Sequence, residues 1–172
     1  DDVADTRERI LSGIDSADTH HTSNSFVLDG GGALYFQEGT FHHTQVETPY
    51  GPTERCANAG VFRYEPRTQK FEVFVSYGFA NPHGHVFDRW GQPFVFAGNG
   101  HGIYQLTPAM IRTDHFLEQR WLWNEGRKFG GGDFVENGHW PAANQGEAVT
   151  GGYLQNTVER FRITDDRASF KV

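Results

Sequence analysis

Phe26-Val-Leu-Asp-Gly-Gly-Gly-Ala-Leu-Tyr-Phe36 and Val86-Phe-Asp-Arg-Trp-Gly-Gln-Pro-Phe-Val-Phe96 are two versions of one phrase. Each opens on apolar residues, turns at Asp-Xaa-Xaa-Gly and resumes on apolar residues. The closing glycine, Gly32 or Gly91, supplies the positive φ that other residues resist. The phrase therefore reads as a strand–turn–strand hairpin. A more degenerate third copy has His139 ahead of a turn that closes at Gly146, then Glu147-Ala-Val-Thr150. The three turn glycines lie 59 and 55 residues apart. A four-stranded propeller blade takes roughly 40–50 residues. The repeat thus predicts an all-β chain, a partial β-propeller of about three four-stranded blades with modest insertions. The blades fall at about 15–80, 81–130 and 131–172 of one domain, with an outer strand added near the N-terminus.

The remaining runs fit this reading. Gly60-Val-Phe-Arg-Tyr64 and Lys70-Phe-Glu-Val-Phe-Val-Ser-Tyr77 read as the outer strands of the first blade, joined at Glu65-Pro-Arg-Thr68. Phe71, Val73 and Val75 alternate cleanly, the mark of a strand with one buried face. Residues 157–163 and 168–172 read as the outer strands of the third blade, joined at Thr164-Asp-Asp-Arg167. Thr6 to Ile14 reads as an outer strand or a short helical stretch. Thr107 to Lys128 is the least β-like segment and reads as a short helix or an excursion over the surface. Gly130-Gly-Gly-Asp133 reads as a flexible connection, and Trp90 as a core residue.

Composition excludes several partners. The formal charge is −7 and Lys and Arg form no cluster, which argues against nucleic acid or an anionic membrane surface. No apolar run approaches the roughly 20 residues that span a bilayer, so no transmembrane segment is expected. Cys56 is the one cysteine, so neither an internal disulfide nor a CxxCH haem attachment is available. Gly30-Gly-Gly32 is a turn and carries no phosphate-loop pattern, and GxSxG is absent.

Histidines are the chemistry-bearing feature. In a propeller, residues just before a blade's first strand and just after its second meet on one rim. His20 and His21 precede the first hairpin and His42 and His43 follow it. His83 and His85 open the second unit, His101 follows it, and His139 precedes the third. Eight of nine histidines are thus expected on one rim, with His115 elsewhere. Neutral imidazoles can hold a transition metal, and His20, His42, His43 and His139 are the candidates. Imidazole is also the usual general base near neutral pH. Glu38 and Glu47 add carboxylates near the first pair. For any single histidine, a polar lining that bonds backbone and water is the plainer reading.

Three segments carry a family resemblance: Ala17-Asp-Thr-His-His-Thr-Ser-Asn-Ser-Phe26, Tyr35-Phe-Gln-Glu-Gly-Thr-Phe-His-His-Thr-Gln-Val-Glu47 and Asn81-Pro-His-Gly-His-Val-Phe-Asp-Arg-Trp-Gly91. They resemble the propeller of the membrane-bound dehydrogenase-like proteins of planctomycetes, which are similar to soluble quinoprotein glucose and aldose sugar dehydrogenases. The resemblance implies half of a six-bladed ring, pyrroloquinoline quinone (PQQ) and calcium as cofactors, a sugar or alcohol substrate and a periplasmic or extracytoplasmic location. It implies that His21, five residues before Phe26-Val-Leu28, is the catalytic base. It places Asn81, His83, His85, Asn99 and His101 on the cofactor wall. Three positions depart from the pattern. Thr40 stands where the base's acidic partner belongs, Ala80 where a quinone-contacting arginine belongs, and Ala97-Gly-Asn-Gly-His101 replaces a Gly-Pro loop. Two copies of the chain could close the ring as a homodimer. The competing readings are a non-catalytic propeller scaffold completed by further blades and a histidine-rich metal site.

Overall fold

The computed structural model describes residues 3–49, 51–76, 81–98, 102–107, 122–123, 125–126 and 128–172. In chain order its strands begin with β1 (Asn24–Leu28), β2 (Leu34–Glu38), β3 (His43–Val46), β4 (Glu54–Ala57), β5 (Gly60–Glu65) and β6 (Lys70–Val75). Then come β7 (Pro82–Phe87), β8 (Pro93–Ala97), β9 (Gly102–Gln105) and β10 (Phe129–Phe134). The last are β11 (Ala148–Gly152), β12 (Thr157–Phe161), β13 (Thr164–Asp166) and β14 (Ser169–Lys171). The chain is all-β, built of small antiparallel sheets, none of them closed. Among the described residues no helix is long and apolar enough to cross a membrane.

Three sheets form the body: β1-β2-β5-β6, β7-β8-β9 and β10-β11-β12. The first strand of the second sheet, β7, packs against the first strands of both neighbours, β1 and β10. Strand alternation, interrupted by a bulge in β6 that turns Val75 to the face opposite Phe71 and Val73 rather than the one face expected for all three, explains the packing. In the first sheet Tyr35, Val61 and Val75 point one way and meet Val95 and Leu106 of the second. Phe36, Phe62, Tyr64, Phe71 and Val73 point the other way. That face is covered by Leu11 and Ile14 from the N-terminal segment and by Val46 and Cys56 from the β3–β4 hairpin. In β8, Phe94 and Phe96 face the third sheet while Val95 faces the first. All five residues of β8 are buried, as expected of a strand covered on both faces. Full burial of each such Phe or Val contributes about 1.5–3 kcal/mol.

The two matching hairpins have one geometry. Asp29 Oδ1 accepts the N–H groups of Gly31 and Ala33 at 2.8 and 3.0 Å. Asp88 Oδ1 accepts those of Trp90 and Gln92 at 2.9 and 2.8 Å. Gly32 and Gly91 take φ values of +87° and +81°.

Elsewhere the structure corrects the sequence reading. Gly130–Asp133 is part of β10, the first strand of the third sheet, rather than a flexible connection. Its glycines are dictated by a close approach. A Cβ on Gly84 would stand 3.1 Å from the Cα of Gly131, and one on Gly132 only 2.7 Å from the carbonyl oxygen of Val149. The third unit therefore starts at 129 and not after His139. Residues 168–172 do not extend that sheet; β13 and β14 form their own hairpin, with Phe170 edge-on to Phe94 at 5.3 Å. Thr6–Ile14 is neither strand nor helix. A hairpin absent from the sequence reading, β3–β4, is inserted between the second and third strands of the first sheet. Among the described residues of the 107–128 excursion, Leu122 and Trp123 pair with the outer strand β9 at Ile103. Most of that segment lies outside the described residues. Trp90 is 86% exposed, so it is not a core residue. Trp123 takes that place, stacked on Phe129 at 5.6 Å.

Candidate functional site

Strand register defines two ends. The pairs Asn24↔Gln37, Pro82↔Ala97 and Phe129↔Gly152 mark one, and Leu28↔Leu34, Phe87↔Pro93 and Phe134↔Ala148 mark the other. The first end gathers the histidines. His20 and His21 lie with ring centroids 4.7 Å apart, and His83 is 6.2 Å from His20.

Asp18 organises this end. Its Oδ1 accepts the N–H of His20 at 2.8 Å, and its Oδ2 lies 3.2 Å from Nδ1 of His21. A carboxylate only accepts, so the neutral tautomer this pair selects has the proton on Nδ1 of His21 and the lone pair on Nε2. The His20 backbone N–H and the two imidazoles hold the Asp18 carboxyl below its usual range. The side chain of His21 is 12% exposed, enough to be reached. Its carbonyl accepts the N–H of Gly39 at 2.9 Å, which ties the segment to the end of β2.

Below this pair runs a buried polar chain. Nε2 of His42 donates to the carbonyl of Asp18 at 2.8 Å. Thr44 Oγ1 lies 2.8 and 2.7 Å from the two carboxyl oxygens of Glu38 and accepts the N–H of Asp15 at 2.9 Å. Burial pushes the Glu38 carboxyl up to about 7. The Asp15 carboxylate accepts N–H groups from His43, Ser16 and Ala17, the first of which most lowers its pKa. Phe41 sits over the site, its ring 5.9 Å from His21, with φ at +76° and more than half exposed. Such a backbone persists only where its surroundings hold it.

The other expected residues separate. His83 and His85 both border a groove between β1, β7 and β10, and burial lowers the pKa of each, that of His85 to about 4. The side-chain oxygen of Asn81 is buried without a partner, and its carbonyl accepts Gly98 N–H at 2.6 Å. His43 lines a separate hollow with Gln45, Arg55 and Ala57. His139 lies in the connection from β10 to β11, at the opposite end, because β10 runs before it. There Glu136 accepts the N–H of Arg89 at 3.0 Å, next to the Asp88 turn. The expected rim of eight histidines therefore loses His139. Ala80, Asn99, His101 and His115 lie outside the described residues.

The candidate metal ligands His20, His42, His43 and His139 do not converge. Among the described residues no three His, Cys, Asp or Glu side chains are placed to hold a metal. Calcium takes six to eight oxygen ligands. Of the expected cofactor wall, Asn81 offers one buried free oxygen, while Asn99 and His101 lie outside the described residues. Thr40, at the position of the family's carboxylate, is buried with its hydroxyl unpartnered. The carboxylate beside His21 comes instead from Asp18, three residues earlier. That spacing, Asp18-Thr-His-His21, was the available sequence signal. The contribution of Thr44 and Asp15 had none, since it depends on the β3–β4 hairpin.

A family model described as a domain of unknown function, DUF7133, matches residues 1–129. No curated protein and no solved structure matches the chain.

Proposed function

The chain belongs to the DUF7133 family; from the resemblance of its histidine segments we propose that it is a quinoprotein-like dehydrogenase module for a sugar or alcohol, with His21 as general base. The observation that carries this reading is the 3.2 Å pairing of Asp18 with His21, whose side chain is only partly buried. Nε2 takes the proton of a substrate hydroxyl, and the Asp18 carboxylate fixes the tautomer and steadies the imidazolium that forms. A positioned base of this kind contributes about 10²–10⁴-fold in rate. His42 keeps Asp18 in place through its carbonyl. The described residues do not complete a calcium or quinone site, so the chemistry proposed for this chain stops at the proton.

In this reading the three sheets are consecutive propeller blades, with β1, β7 and β10 around the axis, and a second copy of the chain closes a six-bladed ring. The support is the side-by-side packing of these first strands. An extracytoplasmic location accompanies the proposal by resemblance. The scaffold reading has one observation in its favour. Phe26 and Leu28, on the open side of β1, are each 62% exposed, an apolar strip suited to assembly.

Dye-linked oxidation of aldoses and primary alcohols, with PQQ and Ca²⁺ added, tests the proposal. His21→Gln should lower turnover at least ~10²-fold and Asp18→Asn by a smaller factor. Absence of turnover in the wild-type dimer, with no quinone bound, would leave the scaffold reading. A solution mass of one chain would exclude self-closure.

A further inference from the structure

Phe41 carries two costs that packing does not explain. It lies between β2 and β3 with φ at +76°, a backbone that favours glycine and makes a bulky residue an outlier. Its ring is 59% exposed, so most of the burial that could offset that backbone is forgone. Its flanks hold it in place. Thr40 and His42 on either side are buried, and Nε2 of His42 donates to the carbonyl of Asp18 at 2.8 Å. Trp90 is also an exposed aromatic in a turn, but there the positive φ falls on Gly91. A large side chain kept both strained and exposed, beside a candidate base, points to a functional position.

The surroundings set the ligand's class. The Phe41 ring lies 5.9 Å from that of His21, with the two planes inclined at 55°. His20 stands 4.7 Å from His21, and His83 stands 6.2 Å from His20. The Asp18 side chain, on the other nitrogen side of this cluster, is 32% exposed. One apolar ring is thus bordered by imidazoles and a carboxylate. Its complement is a molecule with a C–H face and a hydroxyl-bearing edge. The face of an aromatic ring is negative and attracts C–H groups polarised by neighbouring oxygens. Hydroxyls along the edge can donate to or accept from the polar border. A pyranose has both features, whereas an open-chain polyol has the hydroxyls without the flat face.

We propose that Phe41 is the platform on which a pyranose sugar rests beside His21, and that it determines the preference of this site for a cyclic over an open-chain substrate. The inference deepens the dehydrogenase reading and rests on it for the sugar's role as substrate. It also accounts for a phenylalanine where the backbone favours glycine.

The test is titration of the full chain with glucose and with sorbitol, a polyol without the ring, followed by NMR of the aromatic side chains. Glucose should move the Phe41 ring resonances and bind about fivefold more tightly than sorbitol. Phe41→Leu and Phe41→Gly should abolish that preference, and Phe41→Tyr, which restores a flat ring, should keep it. Phe41→Gly should also hold or raise the urea midpoint, because glycine adopts this backbone without strain. A clearly lowered midpoint in Phe41→Gly would make the ring a structural element and overturn the inference. So would equal affinity for the two probes, unmoved Phe41 resonances, or a preference for glucose that survives in Phe41→Leu. Glucose binding that depends on Phe41 without oxidation leaves this inference standing and counts against the His21 reading. Glucose oxidation with a KM that Phe41→Leu does not move does the reverse.

Discussion

At the histidine end, Glu38, His42 and Thr44 are each 1% exposed; at the opposite end, Trp90 is 86% exposed at the tip of its turn. Both ends face the same physical demand, since polar groups must be satisfied where strands stop. The histidine end meets it at long range. Residues 13–21 cross over the β3–β4 hairpin, and side chains bond partners up to 29 residues away, as Thr44 does with Asp15. The opposite end meets it largely within two turns closed by their own Asp29 and Asp88, with the Arg89 N–H reaching out to Glu136. A long-range buried network shifts pKa values and responds to pH. The Asp29 turn, where burial is more than offset by groups led by its own N–H donors that lower the pKa of its carboxyl, leaves that group charged and unresponsive between pH 5 and 7. Chemistry therefore collects at one end although both ends carry histidine and carboxylates.

The largest effect should come from breaking the buried network at Glu38. Its pKa is raised to about 7 from 4.5, so its stabilising share is complete below pH 4.5 and is lost as pH rises through 7. That share is on the order of 3 kcal/mol. His85, lowered to about 4 from 6.5, works in the opposite sense, its share being complete above pH 6.5 and lost as pH falls toward 4. The two slopes offset one another in the wild type. Glu38→Gln should therefore turn a shallow profile between pH 5 and 7 into a rising one, read from urea midpoints. Parallel profiles would mean that Glu38 is not buried as described.

A middling effect should come from the self-contained end. Asp29→Ala and Asp88→Ala each free two turn N–H groups and should each cost about 1–2 kcal/mol in thermal or urea unfolding, with no change in the slope against pH over that range. A pH-dependent loss would show that this end is coupled after all. The smallest effect is expected at Trp90. Trp90→Ala should move stability by no more than about 0.5 kcal/mol, whereas Trp123→Ala, partly buried against Phe129 and Phe161, should cost about 2 kcal/mol. Comparable losses at the two sites would erase the distinction between the ends.

What was legible in the sequence follows the same division. The hairpins at 26–36 and 86–96 could be read because Asp, Gly and the flanking apolar residues act within one turn. The strand β10 could not. Gly130-Gly-Gly132 has the composition of a linker, and only the closeness of Gly84 and Val149 turns the missing side chains into a packing requirement. Misplacing that strand carried His139 to the wrong end. Trp90 was misread because an aromatic in a turn looks the same in sequence whether it points in or out. At the site, His21 and the pair His83 and His85 were legible as histidines ahead of strands. The partner of His21 was sought far along the chain, at Thr40, while Asp18 stood three residues away.

The Asp-closed hairpins also bear on the order in which the molecule forms. Each joins strands that are neighbours in the chain, so it can close on the microsecond scale of isolated hairpins. The seams between sheets unite residues much farther apart, as Arg89 and Glu136 are at 47 residues, and such contacts form more slowly. During synthesis the β1–β2 hairpin is complete before β7 has been made. Its apolar residues must then wait for their cover, and that interval is when a nascent chain of this kind is most exposed to aggregation.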